Sequence, residues 1–141
     1  MTKSTYTIAT FNLTHAAVMD MLQTAVAKAE DMGQPQCIVI VDASGETLGQ
    51  IRMTGAKYLS MKSARSKART AASIRSQSAA IPAEVGPLIA AATGGDMTCL
   101  GGGLPILING QTVGGIGVGS GSAAQDIEVA EAALAILSDC G

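Results

Sequence analysis

Asn109-Gly110 stands between two apolar runs, Leu104 to Ile108 and Thr112 to Val118. A type I′ turn needs positive φ at both central residues, which Asn and Gly tolerate best, and it joins neighbouring antiparallel strands. A second hairpin is expected around Asp42-Ala-Ser-Gly45. Gln36 to Asp42 (QCIVIVD) is a β-branched run apolar enough for a central strand covered on both faces. Asp favours the first position of the turn and Gly accepts positive φ, so Glu46 to Met53 is expected to return beside that strand. Two hairpins predict an antiparallel sheet rather than the parallel sheet of βαβ units.

Helices are expected to cover this sheet. Residues 13–32 place Val18, Met21, Leu22, Ala25, Val26, Ala29 and Met32 at helical spacing, and Gly33 with Pro35 ends the run. A second helix is expected from about Tyr58 to Ile74, then an irregular stretch with a brief helix within Ala83 to Ala92. Ser122 and Gln125 form a capping box for a last helix reaching Cys140, with Val129, Ala130, Ala133, Leu134 and Leu137 on its apolar face. The class is α/β of the α+β type, and residues 1–141, with no linker, read as one domain.

Hydrophobic residues make up 48% of the chain, yet there is no Trp, one Phe and two Tyr, against 17 Gly. Small residues let elements approach closely but bury little area each, so contacts between copies of the chain are expected to supply part of the burial. Cys37, Cys99 and Cys140 are widely spaced, with no metal or disulfide pattern. Residues 1–10 lack the basic start and apolar run of a signal peptide, and no stretch reaches membrane-span length, so a cytoplasmic protein without membrane contact is expected.

A net charge of -2 argues against a nucleic-acid partner. The distribution is uneven: seven of the nine basic residues fall within Arg52 to Arg75, and no acid occurs between Thr47 and Ala83. At 100° per residue, Tyr58, Lys62, Arg65 and Arg69 share one stripe of the second helix, a place for carboxylates or propionates to dock. Free amides around Gly102, Gly103, Gly119 and Ser120, the last two just before a helix, are candidates for holding an anion. The glycine spacing does not match a dinucleotide fingerprint or a phosphate loop. His15, the one histidine, is expected on the apolar stripe of the first helix with Met19, Leu22 and Val26, either as a core residue or as an axial ligand to haem. No nucleophile elbow or metal cluster is evident. Asp42 is explained by its turn, and Asp126 by the start of the last helix.

The ordered segments VIVDASG (39–45), IRMTGA (51–56), SKARTA (66–71), GGLPI (102–106) and VGGIGV (113–118) resemble the GlcG/HbpS (haem-degrading-like) family, which includes the C-terminal domain of PduO-type proteins. The resemblance runs from about Ile8 to Leu137 and implies a profilin-like antiparallel sheet flanked by helices, assembled as dimers, tetramers or larger rings. It also implies haem or iron binding in some members, with a histidine early in the first helix, here His15, as a haem-ligand candidate. Members often carry Asp after the R-M pair, where this chain has Thr54.

The leading expectation is therefore a homo-oligomeric small-ligand-binding protein for haem or another anionic tetrapyrrole. Its pocket is expected between the basic helix, residues 101–106 and residues 114–121. The alternative is an enzyme, an isomerase or lyase, acting on a small carboxylated metabolite. In it Arg52 or Arg69 holds the carboxylate, and Lys67 or Tyr58 exchanges a proton.

Overall fold

A computed structural model describes residues 4–138. In chain order the elements are α1 (His15–Met32), β1 (Cys37–Asp42), β2 (Thr47–Arg52), α2 (Ser60–Ile74), α3 (Gly86–Ala92), β3 (Gly103–Ile108), β4 (Gln111–Gly119) and α4 (Ala123–Ala135). The strands form one antiparallel sheet of order β2-β1-β4-β3. Both expected hairpins are present. Asn109 (φ 52) and Gly110 (φ 75) make the second turn, and in the first Asp42 Oδ1 accepts the amides of Ser44 and Glu46, with Gly45 at φ 82. Both turns therefore lie at the same end of the sheet.

The helices and the sheet make three layers. On one face α1 and α4 pack Val18, Met21, Ala25, Val129 and Ala133 against Ile38, Ile40, Ile106, Ile116 and Val118. On the other face α2 packs Ala64, Ala68 and Ala72 against Cys37, Val39 and Val41. Alternation along β1 sends successive side chains to opposite layers, which explains its unbroken apolar run. Caps follow the sequence: Thr14 Oγ1 accepts the Ala17 amide, Gly33 closes α1 at φ 67, and Ser122 with Gln125 forms the capping box.

The glycines of β4 have a steric cause. Gly115, Gly117 and Gly119 share the face beneath α2, and a Cβ on the first two would strike the carbonyl oxygens of Ala68 and Ala64; on Gly119 it would meet Ser60 O at 3.0 Å. Three strand residues spaced by two thus run under three helix residues spaced by four, about 6.7 Å against about 6 Å. The helix backbone lies directly on the strand, which only glycine permits.

Two boundaries differ from expectation. Tyr58 precedes α2, which starts at Ser60, so it does not belong to the stripe of Lys62, Arg65 and Arg69. The last helix ends at Ala135 rather than near Cys140, which lies, with Asp139, outside the described residues.

Candidate functional site

The cations of α2 have three separate fates. Lys62 is exposed and Arg65 half-buried, and neither forms an ion pair among the described residues. Arg69 is held against the first turn: Nε donates to Gly45 O at 3.0 Å and Nη1 to Asp96 Oδ1 at 2.8 Å. Lys67 turns inward and is 5% exposed.

Its ammonium donates to Val118 O at 2.8 Å and to Asp126 Oδ2 at 3.0 Å, joining α2, β4 and α4 at the end of the sheet opposite the turns. Asp126 is 1% exposed, and its other oxygen accepts the Gly121 amide at 3.1 Å. Gly102, at φ 123, provides the space, since a Cβ there would lie 2.7 Å from Val118 O and 3.0 Å from Lys67 Nζ. Gly103 lies against the Lys67 carbonyl, and its amide donates to buried Ser78 Oγ at 2.9 Å. The basic helix and the 101–103 glycines do converge, but on a sealed ion pair rather than a hollow. Two buried opposite charges need such close pairing to offset desolvation. Lys67 is thus closed off from bulk solvent, with two of its three ammonium donors engaged.

Two of the amides just before α4 are engaged within the chain. Gly121 N serves Asp126, Ser122 N donates to Gln125 Oε1 at 2.9 Å, and Gln125 N to Ser122 Oγ at 3.2 Å. Gly119 is buried beneath Ser60 and Ser63. Ser120, at φ 103, accepts the Lys57 amide on its hydroxyl and the Gln34 side-chain amide on its carbonyl. An anion bound by the Gly121 or Ser122 amide would have to displace these bonds. Nearby, the fully buried Gln36 side chain has no partner among the described residues, and its Nε2 lies beside Gly121.

Arg52 and Tyr58 are both exposed. Arg52 and Thr54 border a groove of about 550 Å³ with Pro35 and Met53. The β1 thiol of Cys37 is pushed above its ordinary pKa by burial, partly opposed by the Arg52 guanidinium. Among the described residues no group of three His, Cys, Asp or Glu side chains gathers to hold a metal ion. No helix among them is long and apolar enough to cross a membrane.

His15 is not on the apolar stripe. It is the first residue of α1 and exposed; Met19, one turn on, is 66% exposed, while Val18, Met21 and Ala25 face the core. Tyr6 and Phe11, two of the three aromatics, precede it and are also exposed. Tyr6, Phe11, His15 and Met19 are thus exposed within residues 6–19, whose Leu13, Ala17 and Val18 turn to the core.

Sequence reasoning missed Asp126 as an ion-pair partner and Asp96 as the acid on Arg69. A signal for the inward lysine did exist: Lys67 falls three residues after Ala64 and four before Ala71, on the apolar side of α2.

Residues 13–135 match the family model described as haem degrading protein HbpS-like. An uncharacterised 15.0 kDa protein from the dhaT-dhaS intergenic region of Citrobacter freundii is 36% identical over 133 residues, 90% of this chain and 93% of that one. The corrinoid adenosyltransferase PduO of the same organism is 30% identical over 132 residues; the match takes in 90% of this chain and 39% of PduO. Klebsiella pneumoniae protein ORFY superposes with a TM-score of 0.87 at 28% identity, covering 95% of this chain and 97% of that one. The PduOC:heme complex superposes at 0.84 with 27% identity, covering 91% and 96%. With the match spanning nearly all of the three-layer fold, the chain belongs to the HbpS-like family.

Proposed function

We propose that this protein binds haem or a related anionic tetrapyrrole on the outward face of residues 6–19, as a homo-oligomer. The observation that carries the reading is exposed His15 in the first turn of α1 beside exposed Met19, led into by exposed Phe11 and Tyr6. An imidazole with an open nitrogen suits an axial iron position, and apolar and aromatic side chains suit the macrocycle's flat faces. The residues present therefore fit the group: His15 would hold the iron, while Met19 and Phe11 would shield the ring. Haem, when bound, supplies an iron centre whose chemistry is set by its axial ligand and by the polarity around it. The described relative crystallised with heme and the haem-degrading description of the family support the same reading.

A surface of this kind covers one side of a flat ligand, and a second copy of the chain would cover the other. The cytoplasm is the compartment that suits the free Cys37 and Cys99 thiols.

Titrating haemin into the protein tests the reading. A saturable Soret shift that is lost in His15→Ala, while the variant's circular dichroism stays unchanged, is the expected result. An identical shift in His15→Ala would remove His15 as the ligand, and a monomer by light scattering with haemin bound would remove the shared site.

A further inference from the structure

At the turn end of the sheet, the Asp42–Gly45 turn, the C-terminal half of α2, the Asn109–Gly110 turn, the loop after α3 and, from the segment before α1, Ile8 and Thr10 line an open hollow of about 1150 Å³. Two guanidiniums line it. Arg69 lines the hollow and is fixed by its bonds to Gly45 O and Asp96, which use Nε and Nη1 and leave Nη2 without a hydrogen-bond partner among the described residues. Arg75 closes α2 at φ 59, a left-handed cap that helices usually give to Gly or Asn. It is exposed and forms no ion pair among the described residues.

The remaining wall narrows the ligand class. Glu46 and Asp96 also line the hollow, so its two positive charges meet two negative ones. A polyanion gains nothing from such a wall and is repelled by the carboxylates at close range. A single carboxylate finds a planar fork of donors at Arg75 and one further donor nitrogen at Arg69, and Ala72 and Met97 offer apolar contact to the body behind it.

We propose that this hollow is a binding site for a small monocarboxylate carried on an apolar body, with Arg75 and the free edge of Arg69 holding the carboxylate. Its wall includes Ile8 and Thr10 of the segment leading into α1 but neither His15 nor Met19, and the proposal does not depend on haem.

The test uses haem-free, isotopically labelled full-length protein titrated with butyrate, followed by amide NMR, with inorganic phosphate as the comparison. Butyrate is expected to shift the amides of Gly45, Ser73, Arg75 and Gly110 along a saturable curve with a Kd of about 1 mM. Arg75→Ala is expected to weaken binding at least fivefold while its spectrum stays folded, and His15→Ala is expected to leave binding unchanged. Arg75→Lys, which keeps the charge but not the fork, is expected to fall between. No saturation with butyrate, a wild-type curve from Arg75→Ala, or saturable binding of phosphate but not butyrate would each overturn the proposal.

Discussion

The two ends of the sheet use the same helix in opposite ways. At the end where β4 finishes, α2 sends Lys67 into the interior, where Gly102, Val118 and Asp126 close around the ammonium. At the turn end, two residues further along α2, Arg69 meets a half-open wall and an acid, Asp96, whose side chain is 60% exposed. The difference lies in the partners rather than the cations. Glycines without side chains let α2 sit on β4 and let Lys67 reach α4, whereas at the other end the two surface turns and the end of α2 border an open hollow. A cluster of positive charge in sequence is thus two separate devices: one fastens the layers, and the other leaves donors facing solvent.

Breaking the sealed end should cost most. Lys67→Met leaves Asp126 charged and unpaired in the interior and is expected to lower unfolding free energy by about 3–5 kcal/mol in chemical denaturation. Adding Asp126→Leu should recover much of that loss, because a matched apolar pair replaces a buried ion pair at little net cost. Gly117→Ala drives a Cβ into the Ala64 carbonyl, which cannot move without lifting α2, and is expected to cost about 3 kcal/mol. At the open end, Arg69→Ala removes a part-exposed ion pair and the bond to Gly45 and should cost about 1 kcal/mol.

A smaller effect sharpens the account of the α2 layer. Burial raises the pKa of Cys37, so the unfolded thiol ionises first as pH rises. The stabilisation is complete below the unfolded thiol's pKa, about 8.5, and declines as pH climbs from there toward the raised folded value. Denaturation midpoints measured from pH 7 upward should therefore fall more steeply for the wild type than for Cys37→Ala. Parallel curves would place the thiol in contact with water.

Much of the fold is legible because its signals are local. Asn109-Gly110, Asp42 with Gly45, Gly33 and the Ser122–Gln125 box each act within a few residues, and the structure places all four as their chemistry requires. The site is less legible because its determinants are not local. Asp126 lies 59 residues from Lys67, and its position early in α4 already had a sufficient explanation in the helix dipole. Gly102, Gly103, Gly119 and Ser120 were expected to offer free amides to an anion. Those beneath α2 instead make room for its backbone and for Lys67, a role visible only once α2 is seen lying across β4. His15 was expected on the apolar stripe of α1, as a core residue or a haem ligand, because Met19, Leu22 and Val26 follow it at helical spacing. The core stripe instead runs through Val18, Met21, Ala25 and Ala29, which leaves His15 and Met19 outside.

Lysine acetylation of the folded protein, read site by site by mass spectrometry, tests the division of α2 most directly. Lys57 and Lys62, both exposed, are expected to react readily, and Lys67 to stay unmodified until the protein unfolds. Acetylation of Lys67 in the native state at the rate of Lys62 would contradict the sealed ion pair.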